Sequence, residues 1–157
     1  MLELPGQSAL SEFRLRKLLG SLQGQDDRVK SIHARFAYFV AVSKPLSDDH
    51  RKRLNGLLLS GEKPPSLGKG ARKLYAVPRP GTISPWSSKA TDIALACDLA
   101  VERIERGICY GLQLRGEVDD KDVHALGALL FDRMTEALLD SGDGALGNDE
   151  VVDLNDL

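Results

Sequence analysis

The sequence predicts an α+β fold: a two-layer sandwich with a mostly antiparallel sheet, helices on one face and an internal duplication. Two periodicities and one repeat predict it. Phe36, Tyr38, Val40 and Val42 recur at period two, and so do Ile108, Tyr110, Leu112 and Leu114. That is the pattern of a strand with one buried face. Leu15, Leu18, Leu19 and Leu22 follow the i, i+3, i+4, i+7 spacing of an amphipathic helix, as do Ala90, Ile93, Ala94 and Cys97. One-sided strands and one-sided helices bury each other by stacking in two layers.

The repeat ties these patterns together. Residues 29–59 align without a gap on residues 101–131, an offset of 72, with seven of 31 positions identical. Five further pairs stay apolar: Phe36/Ile108, Val40/Leu112, Val42/Leu114, Leu46/Val118 and Leu59/Phe131. The upstream helical positions match at an offset of 75, where Pro5-Gly6 also falls on Pro80-Gly81. A loop three residues shorter accounts for the change of offset, since loops tolerate length changes.

Each element follows in order. A short strand at residues 2–4 reaches a Pro5-Gly6 turn, and a helix runs over about residues 9–22. The alternating strand comes next. A second helix follows, with Ser47 as N-cap candidate and Asp48 in its first turn. Residues 61–70 (GEKPPSLGKG) form a flexible linker; their Gly-Lys-Gly lacks the full spacing of a phosphate-binding loop. The second unit repeats the series: a strand at 73–77, a Pro80-Gly81 turn, a helix over about 87–97, the second alternating strand, and a helix with Asp119 as N-cap candidate and Asp120 in its first turn. Residues 1–60 are thus the first repeat and 71–139 the second, together one domain. Residues 140–157 form an acidic tail that begins a linker to further domains. Its Val151, Val152, Leu154 and Leu157 have no core to join, as expected of a piece of a longer chain.

Charge narrows the partners. Six acids and no bases lie from Asp140 onward, leaving 21 bases against 17 acids for residues 1–139. That body is too weakly basic for a nucleic-acid-binding domain. No apolar run approaches the ~20 residues that span a bilayer, and residues 1–8 (MLELPGQS) lack the regions of a signal peptide. Cys97 and Cys109, twelve residues apart, suit buried thiols better than a disulfide framework or zinc site. A cytoplasmic location is expected.

Little of the chain carries the marks of chemistry. His33, His50 and His124 are scattered over a strand and two helices, without metal-ligand spacing. No nucleophile and acid-base pair converge. Glu105 and Arg106 read as a solvated ion pair. The unusual stretch is the loop at 78–92 (PRPGTISPWSSKATD). Pro78, Pro80 and Pro85 stiffen it, and Gly81 permits a tight turn. Arg79, Ser84, Trp86, Ser87, Ser88, Lys89 and Thr91 are its candidate site residues. Free amides, hydroxyls and a cation at a helix start suit an anion or phosphate. Two readings stand: a ligand-facing or domain-facing loop, and a well-capped helix start with Trp86 packed into the core. The first repeat has neither tryptophan nor lysine at the equivalent place.

At PRPGTISPWSSKATDIA, and at the following IERGICY, the sequence resembles the N-terminal domain of the large single-chain phosphoribosylformylglycinamidine synthase, the glutamine-dependent enzyme of purine biosynthesis in its bacterial form. SALSEFRLRKLL and PLSDDH carry the resemblance along the chain; the acidic tail resembles the family far less. The second repeat is also similar to the small PurS subunit of the multi-subunit enzyme, so the resemblance implies a fused PurS dimer. It implies a ligase that uses glutamine, ATP and Mg²⁺, with those catalytic parts in later domains. Cys97 lacks the motif of the glutaminase nucleophile. No catalytic residue, metal ligand or cofactor is expected in this fragment, which would be inactive alone. The implied role is a scaffold that couples the synthetase and glutaminase domains of the same chain around an ammonia path, with loop 78–92 facing the synthetase domain or its phosphorylated substrate. The alternative is a free-standing module that binds a protein or an anion. The strand order is not set by these patterns.

Overall fold

In the structure, a computed structural model describing residues 2–59, 63–68, 70–79 and 82–140, the chain runs β1 (Leu2–Ser8), α1 (Glu12–Gln25), β2 (Val29–Ala41), α2 (Asp48–Leu59), β3 (Arg72–Pro78), α3 (Pro85–Ala96), β4 (Arg103–Leu114), α4 (Asp120–Gly127) and β5 (Glu136–Asp140). The strands form one sheet in the order β1-β2-β4-β3-β5, with every neighbouring pair antiparallel. The α+β class and the antiparallel sheet match the sequence reading. The long alternating strands, β2 and β4, lie side by side at the centre.

Alternation decides which face the helices cover. Ile32, Ala34, Tyr38 and Val40 of β2 and Ile104, Tyr110 and Leu112 of β4 lie on one face and supply two helix-covered cores. The first gathers Leu22 of α1 with Val123 and Leu126 of α4. The second gathers Leu54 of α2 with Ala94 of α3, against Leu4, Tyr38, Val40 and Ile104. Each fully buried leucine contributes about 1.5–3 kcal/mol of apolar transfer energy. The helices therefore pair across the two halves of the sequence, α1 with α4 and α2 with α3.

The opposite face carries a smaller cluster: Ala37, Phe39, Tyr75, Val77 and Cys109, with Leu67 laid over them. Residues 63–68 pack on this face. Arg35 donates to the Pro65 carbonyl at 3.1 Å. At Gly111 a Cβ would lie 2.5 Å from the Leu67 carbonyl oxygen, so only glycine admits so close a crossing. The Gly-Lys-Gly, Pro80-Gly81 and the acidic tail beyond residue 140 fall, wholly or in part, outside the described residues.

Two elements differ from the sequence reading. Pro5 and Gly6 make no turn: β1 runs through them to Ser8, with a register shift between Pro5 and Ser8. β1 is an edge strand, where a residue without an N–H is tolerated. A Cβ on Gly6 would lie 2.6 Å from the Tyr38 ring and 2.9 Å from the Phe36 carbonyl oxygen, so this glycine lets the strand hug β2. β5 is an extra strand, pairing with β3 from Pro78↔Glu136 to Leu74↔Asp140. The cap candidates divide. Ser47 accepts from the His50 amide at 3.2 Å, whereas Asp119 holds the cap position without a side-chain cap bond.

Candidate functional site

The 78–92 loop leads from β3 into α3, and its side chains divide into two groups. The first locks α3 onto β4. β3 pairs with β4 only as far as Ala76↔Ile108, which leaves Ile104 without a strand on that side. Unpaired backbone groups at a strand edge need partners. Ser87, fully buried, donates its hydroxyl to the Ile104 carbonyl at 2.5 Å, and the Ile104 amide donates to the Thr91 hydroxyl at 3.0 Å. Thr91 in turn donates to the Ser87 carbonyl at 2.8 Å. These two hydroxyls stand in for a missing strand.

Ser84 is the N-cap of α3 and accepts from the Ser87 amide at 3.0 Å, with Pro85 at the first helical position. Its hydroxyl donates to Glu105 at 2.8 Å, and its amide reaches the same carboxylate at 3.5 Å. Glu105 is 1 % exposed and pairs with Arg103 at 3.1 Å. An intramolecular carboxylate thus occupies the α3 N-terminus, where an external anion would otherwise sit. The solvated Glu105–Arg106 ion pair expected from the sequence is not formed. Adjacent strand residues point to opposite faces: Glu105 is buried with Arg103 and Ser84, and Arg106 turns to the helix side.

The second group opens onto solvent at Lys89, while Trp86 is half-buried against the core of Leu4, Tyr38, Val40 and Leu54, as the capped-helix reading expects. Trp86 and Lys89, one helical turn apart, line a cleft of about 390 Å³ between α2 and α3. Its other walls are Gln7 of β1, Tyr38 of β2, Leu54, Leu57 and Leu58 of α2, Ala90, Ile93 and Ala94 of α3, and Ile104 and Arg106 of β4. Trp86 stacks on Tyr38 with centroids 5.7 Å apart and planes inclined by 20°. The Arg106 guanidinium lies 4.7 Å from the Trp86 ring centroid and 4.5 Å from that of Phe36. These are cation–π distances. Burial raises the Tyr38 hydroxyl above its ordinary pKa, with the Arg106 charge opposing; it stays a neutral donor and reaches the Leu58 carbonyl at 3.3 Å. Gln7 donates to the carbonyls of Leu58 and Leu59, at 3.4 and 3.3 Å.

Of the expected site residues, the structure brings Trp86 and Lys89 together in the cleft and commits Ser84, Ser87 and Thr91 to the α3–β4 junction. Arg79 and Ser88 are exposed; the Arg79 carbonyl accepts from Thr82, and the Ser88 amide donates to the Ser84 carbonyl. Arg106, Tyr38 and Gln7 are not among the residues that the sequence alone singles out for this site. For Arg106 a signal existed: in the series Ile104, Arg106, Ile108, Tyr110, Leu112 it is a charge at a period-two position reserved for the buried face. No group of three or more His, Cys, Asp or Glu side chains among the described residues could hold a metal ion. No helix among them is long and apolar enough to cross a membrane.

The family model for the formylglycinamide ribonucleotide amidotransferase N-terminal domain matches residues 35–146, well over half of the 157. The matched stretch runs from within β2 through β5, and takes in the 78–92 loop, α3 and Arg106. The chain therefore belongs to the N-terminal domain family of formylglycinamide ribonucleotide amidotransferase, the ligase of purine biosynthesis.

Proposed function

We propose that this domain is a non-catalytic coupling module: it docks on the synthetase and glutaminase domains of its own chain and supports the passage of ammonia between them. The observation that carries this reading is the α2–α3 face. Around the cleft mouth Leu57 is 42 % exposed and Ile93 46 %. Apolar side chains grouped on one surface, interleaved with Lys89 and Trp86, are what a domain-docking face requires. The hydroxyl-locked junction beneath fixes α3 on β4, which lowers the ordering cost of docking on the α3 side. The ATP and Mg²⁺ of the full-length reaction belong, on this reading, to the synthetase domain.

Full-length enzyme carrying Trp86→Ala or Lys89→Ala tests it. Glutamine-dependent synthesis should fall by about tenfold or more, the effect of losing ~1.4 kcal/mol of docking energy. Glutaminase turnover, assayed alone, should stay near wild type. Equal synthesis in the variants and wild type would remove the α3 face from the coupling role.

A further inference from the structure

We infer that the Trp86–Arg106 cleft is a binding site for a small organic anion: a phosphate monoester carried on a planar, largely apolar body, as in a nucleoside monophosphate. This goes beyond the coupling role and does not depend on it.

The charge of the cleft is one-sided. Two of its lining residues are cations, Lys89 and Arg106, and none is an acid. Among the described residues neither cation has a carboxylate partner. A concave, low-dielectric site lined by one sign of charge concentrates ions of the other sign. Arg106 is also pre-positioned. The Phe36 and Trp86 rings hold its guanidinium at 4.5 and 4.7 Å. That leaves its edge of N–H donors for an oxygen anion, which a guanidinium binds bidentately. Lys89 supplies a second positive charge from one helical turn beyond Trp86.

The negative feature of the rim is partly offset. The C-terminal carbonyls of α2 point toward this region, and a helix C-terminus repels anions. Gln7 and Tyr38 cover the Leu58 and Leu59 carbonyls with three donated hydrogen bonds. The rest of the wall is apolar: Leu54, Leu57 and Leu58 on one side, Ala90, Ile93 and Ala94 on the other. A bare phosphate would leave that surface uncovered. A planar body of nucleobase size would cover part of it, and about 390 Å³ falls within the ~300–1,000 Å³ typical of small-molecule sites. The α3 N-terminus, by contrast, is already held by Glu105.

Trp86 is the only tryptophan in the chain, so its emission reports on this cleft alone. The probes are AMP, adenosine and inorganic phosphate, titrated into the 157-residue chain with excitation at the red edge of tryptophan absorption. AMP should give a saturable change. Adenosine and phosphate alone should each bind about tenfold or more weakly. Lys89→Gln and Arg106→Gln should each weaken AMP by about tenfold, the usual scale for losing one charge-assisted hydrogen bond. Lys89 is exposed on α3, so its variant remains informative if Arg106→Gln fails to fold. No saturable response to millimolar AMP overturns the proposal, as does AMP binding that both substitutions leave unchanged. Phosphate binding as tightly as AMP overturns the planar body. A response to an acidic peptide with none to AMP makes the cleft a peptide groove instead.

Discussion

Glu105 is the residue on which the α3–β4 junction closes. Its carboxylate accepts from the Ser84 hydroxyl, from Arg103 and from the Arg106 amide, with almost no exposure. Removing one partner of a buried pair strands the other, at a cost of about 3–5 kcal/mol. Arg103 keeps 24 % of its side chain exposed, so Glu105→Ala should lie at the lower end, near 3 kcal/mol in urea unfolding. Ser87→Ala leaves the Ile104 carbonyl without its side-chain donor and should cost about 1–3 kcal/mol in the same measurement. The two cysteines give a second residue-scale test. Burial pushes the Cys109 thiol up to about 11, so almost none of it is thiolate near pH 8. One thiol, Cys97, should react readily with a disulfide reagent in the native protein, and Cys109 only on unfolding. Two fast thiols would show that the β3–β4 face opens. The buried state of Cys109 was legible from its apolar neighbours, but the same argument applied to Cys97 fails, since Cys97 sits at the end of α3 and is only half-buried. Arg106 escapes notice in the linear sequence because it stands beside Glu105, with which it pairs on paper. The strand separates neighbours onto opposite faces, and only the face-by-face reading sends one to the helix N-terminus and the other into the cleft.

Among the elements, legibility followed one-sidedness. β2 and β4 were readable because their two faces differ in what covers them, helices on one and a thin segment on the other. β5 was not, because its apolar residues serve both sides. Leu138 packs against the first helix-covered core, while Ala137 and Leu139 pack on the opposite face. Such a strand shows no alternation, and five residues are too few for length to decide. Pro5-Gly6 misled for a different reason. Those residues mark turns when nothing else constrains them, but here the glycine serves close approach to β2 and the proline sits on an edge. The result matters for the site, since continuing β1 is what carries Gln7 to the end of α2. The crossing of residues 63–68 over β4 gives the element-scale prediction. Gly111→Ala would drive a Cβ against the Leu67 carbonyl oxygen and Cβ, at 2.5 and 2.8 Å. The backbone must move, so the variant should lose about 1–3 kcal/mol, the usual range for overpacking. Gly20→Ala meets nothing within 4 Å inside α1 and should instead stabilise by about 0.4–1 kcal/mol. Equal effects at the two glycines in denaturant unfolding would mean that the 63–68 crossing is loose.

At the scale of the molecule, the two halves of the sequence do not each own a core. Residues 1–59 contribute β1, α1, β2 and α2, and residues 70–140 contribute β3, α3, β4, α4 and β5. The helices then exchange. α1 buries Leu22 in a core shared with Leu74, Ala76, Val123 and Leu126 of the second half, and α3 buries Ala94 in one shared with Leu4, Tyr38, Val40 and Leu54 of the first. The long β2–β4 ladder, from Val29↔Leu114 to Ala41↔Arg103, joins the halves at the centre of the sheet. This exchange makes the two halves one packing unit, each completing the other's cores. It makes a sharp prediction. A fragment of residues 1–59 alone would expose one long edge of β2 and the inner faces of α1 and α2, and about 60 residues make at best a marginal core. Residues 70–140 alone would expose β4 and α3 in the same way. Neither fragment should show cooperative unfolding as a monomer. Mixed at equal concentration, the two should form a one-to-one complex that regains the native circular dichroism and the Trp86 emission of the intact chain. The cleft would re-form with them, because Tyr38, Leu54 and Gln7 come from one fragment and Trp86, Lys89 and Arg106 from the other. A cooperative monomeric transition in either fragment alone would refute the shared-core account. Self-association of a fragment to a folded dimer would support it, since a second copy would then supply the faces that the missing half covers in the intact chain.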